Sequence, residues 1–290
     1  TQSRSSAASD VYKRQVDALA GAPGLPRCKR REDLVAACLL GAKAATNARL
    51  DDAHLALGDA QGVGDLAADV EGQDACRKIC ILASLAYGKH VYPEQVHTEG
   101  ISGVTLADVE YAAAWGGVIK LVGQVKMMEN RKVQTIVCPM FLSRESQLAN
   151  VDDVFNGILV RGDSTGDVVF YGKGAGKLPT ASAVVADVID CVKHFKARKY
   201  LFWDDGSPEY VEDYSLNSVS MFVRASAADE AAAFAEIKEK LGAVDRLTRK
   251  NAETDELAFV TAEMPEKEIT EKLKTLSGVT VLNTIRIGEL

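Results

Sequence analysis

The pattern of apolar and polar positions divides the chain into two parts. In residues 218–290, the spacing of apolar residues alternates between the two-residue period of a strand and the 3.6-residue period of a helix. This pattern predicts strand, helix, strand, strand, helix and strand in that order. This order is the ferredoxin-like βαββαβ unit, and its connections are short. The part before it mixes longer strands with helices. The pattern therefore predicts an α+β protein in which a mixed sheet with helices is followed by a ferredoxin-like unit.

The first part contains one helix with an unusual distribution of apolar residues. Residues 73–87 are apolar on nearly every face and are followed by Gly88, which predicts a buried helix ending there. Thr105 and Asp108 have the spacing of a capping box for a second helix over 106–115. Further strands are predicted at 118–128, 133–143, 157–160 and 168–171, and further helices at 33–44, 51–61 and 180–197.

The amino-acid composition along the chain indicates where the domains begin and end. Residues 1–15 are rich in serine and lack apolar periodicity, so we interpret them as a non-native or disordered segment. Residues 16–200 are predicted to form the first domain, with an atypical beginning. Residues 201–217 are polar and contain several acidic residues and Pro208, which is typical of a linker. Residues 218–290 then form the second domain.

Charge and cysteine usage narrow the classes of function. The net charge of −7 argues against nucleic-acid and anionic-membrane partners, which need basic patches. No apolar run approaches the ~20 residues of a membrane helix, and no secretory signal is visible, so a cytoplasmic location is expected. Neither the six cysteines nor the four histidines have the spacing of a metal site, and no metal is predicted.

The first candidate for chemistry lies at the start of the apolar helix. Asp74 and Lys78 are four positions apart and share a helical face, and Asp69 comes just before the helix. A surface ion pair with acidic capping is one interpretation. The other is a functional site, because charges are rarely buried without a partner or a role. A lysine held away from water suits proton transfer, and a carboxylate can bind a substrate ammonium.

The second candidate is the glycine-rich turn at 172–176. A predicted strand runs into this turn and a helix follows it, so main-chain N–H groups can meet an anion or a closely approaching ligand. The spacing fits neither a P-loop nor the dinucleotide-binding fingerprint, which argues against a phosphate-binding NTPase. A tight structural turn and a ligand-contacting turn both remain open.

Three segments in the same order resemble homoserine dehydrogenase. They are DVEGQDACRKICILASLAY at 69–87, HTEGISGVTLADVEYAAAWGGVIKLVG at 97–123 and NVDDVFNGILVRGDSTGDVVFYGKGAGKLPTASAVVADVIDCVKH at 150–194. The resemblance implies interconversion of L-aspartate 4-semialdehyde and L-homoserine with NADP or NAD, on the path to threonine, methionine and isoleucine. It also implies a homo-oligomer, such as a dimer.

The resemblance assigns roles to particular residues. It implies that Lys78 exchanges a proton with the substrate oxygen and that Asp69 and Asp74 hold the substrate and orient the lysine. It places Gly174, Ala175 and Gly176 near the nicotinamide. Hydride delivery to an aldehyde builds negative charge on oxygen, which a nearby ammonium neutralises by giving a proton.

The chain departs from the family pattern in three places. A nucleotide-binding domain with a G-x-G-x-x-G turn is expected before the match and is not recognised, so the chain is interpreted as a fragment. Val63 stands where the family has a substrate-binding glutamate. The βαββαβ unit resembles an ACT domain but lacks the usual Asp-x-Pro-Gly turn. The alternative function is therefore a non-catalytic oligomerisation or amino-acid-sensing module.

Overall fold

The computed structural model describes residues 37–39, 68–152, 155–174, 176–196 and 203–290. Within these ranges, the helices are α1 (Gln73–Tyr87), α2 (Leu106–Trp115), α3 (Lys177–Lys193), α4 (Glu230–Leu241) and α5 (Glu266–Lys274). The strands are β1 (Ala37–Leu39), β2 (His97–Thr98), β3 (Gly117–Met127), β4 (Val133–Ser143), β5 (Phe155–Gly162), β6 (Gly166–Lys173), β7 (Val211–Glu212), β8 (Ser218–Val219), β9 (Met221–Ser226), β10 (Val244–Leu247), β11 (Glu256–Thr261), β12 (Met264–Pro265) and β13 (Thr280–Gly288).

One mixed sheet runs through both predicted parts of the chain. Its order is β10-β11-β9-β13-β4-β3-β1-β5-β6, and the two short strands β2 and β7 also pair with β4. Strand β4 pairs with β3 in antiparallel fashion along its whole length, while β13 pairs with it in parallel, with Arg286 opposite Met140. Strand β4 therefore joins the βαββαβ unit (residues 218–290) to the rest, which we call the body.

Helix α1 packs on one face of the body sheet, over β1, β3 and β4. Its inward side chains include Ala75, Ile79 and Ala83, which are fully buried. Gly123 of β3 lets the helix come close, because a Cβ at this position would stand 3.2 Å from the Cβ of Ile79. The predicted bounds of α1 are confirmed, but the expectation of burial on every face is wrong, since Ile81 is 54% exposed.

The βαββαβ unit has the predicted order of elements and a ferredoxin-like strand arrangement. Helices α4 and α5 cover one face of its sheet, where Phe259, Ile237 and Ile269 are fully buried. Helix α2 of the body contributes Tyr111 to a second core on Phe222 and Ile285. The sheet of the unit is thus packed between the unit's own two helices on one face and helix α2 of the body on the other. Its identification as an ACT domain stays a prediction.

The predicted helix over 33–44 is wrong at its centre, because Ala37–Leu39 form strand β1. This strand lies between β3 and β5, and Cys38 is opposite Gly123 on one side and Ile158 on the other. Hydrogen bonding to both neighbours outweighs the helical preference of an alanine-rich segment, because tertiary context overrides local propensity. The predicted helix over 51–61 lies outside the described residues.

Helix α3 begins three residues earlier than predicted. Gly176 precedes its first turn with a φ of 121°, a conformation that favours glycine, and Pro179 fits inside the first turn, where its missing N–H has no helical partner to lose. Residues 203–217, the described part of the predicted linker, lie against the body through β7 and the buried Tyr210. The division into domains stays a prediction, and residues 1–15 lie outside the described ranges.

Candidate active site

Asp74 and Lys78 form an ion pair on the outer flank of α1. The Nζ atom of Lys78 lies 2.8 Å from Oδ2 of Asp74, and the two side chains are 38% and 33% exposed respectively. The helix places them one turn apart beside a buried apolar face. The pair is therefore held by a rigid element while its charged ends remain accessible to a small molecule.

Asp69 lies in a short helical stretch, residues 68–70, directly before the turn at residues 71–72 that leads into α1. The main-chain N–H of Gly72 donates to the carbonyl oxygen of Asp69 at 3.2 Å, and Gly72 precedes the helix with a φ of 76°. A Cβ at Gly72 would lie 3.1 Å from Cγ2 of Thr98 and 3.3 Å from the carbonyl oxygen of Glu99. Glycine is required here on both grounds, because an L side chain disfavours this φ and little space is left.

The segment at residues 97–102, which begins with strand β2 and is called the 97–102 loop below, holds this turn in place. The N–H of Ile101 donates to the carbonyl oxygen of Val70 at 2.8 Å, and the Ser102 hydroxyl donates to Glu71. A Cβ at Gly100 would lie 2.5 Å from the same carbonyl oxygen and 2.7 Å from Cα of Glu71. The start of α1 is thus supported by a loop that sequence reasoning matched to the family without assigning it a role.

Substitution of Gly100 by alanine is expected to separate this loop from the turn. The added methyl group overpacks a main-chain contact that cannot move cheaply, so we expect the free energy of unfolding to fall by about 1–3 kcal/mol. Gly103→Ala is the matched control, because nothing lies within 4 Å of a Cβ at that position. Urea unfolding measures both variants, and equal midpoints would contradict the expected crowding.

A cluster of charged side chains lies behind the 97–102 loop. Arg286 of β13 makes two bonds to Glu99, of 2.7 and 2.8 Å, and two more to Glu266 at the start of α5. His97 contacts Glu99 at 2.6 Å and stacks on Tyr214. Burial alone would raise the pKa of Glu99, but hydrogen bonding and charge from Arg286, with a contribution from His97, hold that pKa below its ordinary value.

The glycine-rich turn follows β6 at the edge of the sheet. Among its residues, Gly174 lies against the side-chain amide of Asn156, which occupies the space a Cβ would need. Gly172 has open space beside its Cα, and Ala175 lies outside the described residues. Gly174 therefore has a packing reason to be glycine. Strand β5 separates β6 from β1, the nearest strand that α1 covers.

Val63, at the position of the family's glutamate, lies outside the described residues, as does His54. His90 packs on the Tyr92 ring and His194 pairs with Asp190 at 2.9 Å.

In the described part of the chain, no group of three or more His, Cys, Asp or Glu side chains is placed to hold a metal ion. No helix in that part is long and apolar enough to cross a bilayer.

Comparison with known proteins places these residues in a family. A family model described as homoserine dehydrogenase matches residues 48–189. The homoserine dehydrogenase of Synechocystis sp. is 47% identical over 131 residues, which are 44% of this chain and 30% of that protein. The match includes much less than the full length of that relative.

Two solved structures are similar over most of the chain. A homoserine dehydrogenase from Thiobacillus denitrificans has a TM-score of 0.74 and 28% identity, and the match covers 94% of this chain and 67% of that one. The S. aureus homoserine dehydrogenase at pH 6.0 has a TM-score of 0.68 and 30% identity, and the match covers 90% and 67% respectively. Because the family model includes Asp69, Asp74 and Lys78, and the solved structures extend the likeness through the βαββαβ unit, the chain belongs to the homoserine dehydrogenase family.

Proposed function

We propose that this chain is the substrate-binding portion of a homoserine dehydrogenase. The reaction is the interconversion of L-aspartate 4-semialdehyde and L-homoserine with NADP or NAD, in the biosynthesis of threonine, methionine and isoleucine. The observation that carries the proposal is the Asp74–Lys78 pair, 2.8 Å apart, at an accessible position within the segment that matches the family.

The proposed roles follow from charge. The Lys78 ammonium gives a proton to the substrate oxygen as the carbonyl carbon is reduced, and takes one back in the reverse direction. Asp74 keeps the ammonium in place through their ion pair. Asp69, at the turn before α1, binds the ammonium group of the substrate. Lys78 is 38% exposed, so it exchanges its proton with solvent between turnovers.

The glycine turn is the proposed contact for the nicotinamide. Gly172 leaves open space beside the main chain, which is the kind of surface that a flat ring can approach, while Gly176 leads into helix α3. We assign this contact to Gly174, Ala175 and Gly176. When bound, the reduced nicotinamide supplies the hydride for this chemistry. We further propose that the protein acts in the cytoplasm as a homo-oligomer.

One observation favours the alternative, a non-catalytic association module. Helix α3 has no buried residue, and along one side Val184, Val188 and Val192 are between 57% and 72% exposed. An apolar stripe of this kind is typical of a surface that another element covers. This module would form an assembly without turnover.

The two functions are separated by homoserine binding. We expect calorimetry to detect L-homoserine binding to the purified chain, and we expect Lys78→Ala and Asp74→Ala each to weaken it by at least about tenfold, or 1.4 kcal/mol. Arg77→Ala is the matched control, because Arg77 is an exposed cation on the same helix. Full affinity in both site variants would refute the assignment of these residues.

Turnover is measured in parallel as homoserine-dependent reduction of NAD⁺ and NADP⁺. Where the parent chain turns over, loss of the proton-transferring group is expected to lower the rate by about 100- to 10,000-fold in Lys78→Ala. A stable assembly that neither binds homoserine nor turns over would support the association module.

A further inference from the structure

A single arginine of the βαββαβ unit is connected to the start of α1 through a short series of contacts. Arg286 is 6% exposed and bonds to both carboxylate oxygens of Glu99. Such a two-point contact fixes orientation as well as distance. The main-chain N–H of Glu99 also donates to Val137 of β4 at 2.7 Å, so the loop is fixed on both its side-chain and main-chain sides.

The next contacts lead directly to the proposed substrate site. The carbonyl oxygen of Glu99 and the methyl group of Thr98 close the space beside Gly72, the residue that precedes α1. On the other side of the turn, Gly100 lies against Val70. The N–H of Cys76 donates to the carbonyl oxygen of Gly72 at 2.9 Å, which makes Gly72 part of the first turn of the helix.

We propose that Arg286 is a positioning residue that sets the first turn of α1, and with it Asp69, Asp74 and Lys78, through Glu99 and the 97–102 loop. Arg286 contacts none of these three residues and takes no part in the reaction. That these three residues bind substrate rests on the proposed function. That Arg286 supports the first turn of α1 rests on the contacts described above. The βαββαβ unit thereby shapes a site that lies in the body.

A second arginine of the same unit provides a matched comparison. Arg224 of β9 is 11% exposed and bonds to the fully buried Asp108 of α2 at 2.8 Å. It therefore also joins the βαββαβ unit to the body by a buried ion pair. It also donates to the Thr105 hydroxyl, at the start of α2, and pairs with Glu256 of its own unit, and none of these partners lies in the 97–102 loop. Substitution of Arg224 weakens the attachment of the unit without directly disturbing the support of α1.

The test compares Arg286→Lys with Arg224→Lys by two measurements. Lysine keeps the charge but cannot form the planar two-point contact. Hydrogen exchange of amides 70–76 reports the first turn of α1 without any ligand, and calorimetry reports the affinity for L-homoserine. In Arg286→Lys we expect faster exchange there and weaker binding, each by about two- to thirtyfold. In Arg224→Lys we expect neither.

Glu99→Gln is the second variant, since it keeps the size of the side chain but removes the charge and one of the two oxygens that accept from Arg286. It is expected to change the same amides in the same direction. Unchanged exchange at 70–76 in both Arg286→Lys and Glu99→Gln would overturn the inference, as would an equal change in Arg224→Lys. If the parent chain does not bind homoserine, the proposed function fails, and the exchange measurement still decides the positioning role.

Discussion

Substitution of Arg286 by methionine is expected to lower the free energy of unfolding by about 3–5 kcal/mol, because it breaks a buried ion pair and leaves charge without a partner. Methionine preserves much of the length of the side chain, but it cannot donate to Glu99 or Glu266. The side chain of Glu266 is only 8% exposed, so water compensates poorly for the lost guanidinium. Urea unfolding followed by circular dichroism measures the change.

The pH dependence provides the control for this prediction. Because the pKa of Glu99 is held below its ordinary value of 4.5, the stability it contributes is fully present above that pH and is lost as the pH falls through the lower folded-state pKa. The difference in stability between the parent and Arg286→Met should therefore be largest near neutral pH and shrink below pH 4.5. A difference that is constant with pH would mean that packing, not charge, explains the loss.

Substitution of Phe222 by alanine is expected to cost a similar amount, about 3–5 kcal/mol, through loss of buried area and creation of a cavity. Phe222 is fully buried and stacks on Phe141 with ring centroids 4.6 Å apart. The first ring belongs to β9 and the second to β4. The stack therefore lies where the βαββαβ unit meets the body.

A double-mutant cycle isolates the contribution of this contact. Combining Phe222→Ala with Phe141→Ala should reveal a coupling energy of about 0.5–1.5 kcal/mol, the range for aromatic pairs. Phe234 is the control, because it packs within the unit against Phe259 and should add independently to Phe141→Ala. Additivity in both cycles would show that the unit and the body are stabilised separately.

Local sequence signals predicted the elements that the chain specifies locally. Helix α2 has its capping box, since the Thr105 hydroxyl accepts from the N–H of Asp108 and the Asp108 carboxylate accepts from the N–H of Thr105. Helix α1 ends at Gly88, whose φ is 71°. In both cases the residues that start or stop the helix are its immediate neighbours, so a short window contains the whole signal.

Contacts between residues that are far apart in the sequence could not be predicted from short stretches of sequence. Strand β1 forms because β3 and β5 flank it on both sides, and its three residues carry no sign of either partner. Arg286 and Glu99 are 187 positions apart, and neither lies in a pattern that indicates a buried pair. The candidate pair Asp74 and Lys78 was found because a helix brings residues at this spacing together.

The position of β13 also has a consequence for the order in which this protein can fold. Met140, near the end of β4, finds its parallel partner only in Arg286, which leaves the ribosome much later. Until then, this section of β4 presents unpaired main-chain groups on one side, and such an open edge invites pairing with other chains. Contacts this distant in sequence also form slowly. We therefore expect a nascent chain to be more prone to aggregation until β13 has been synthesised.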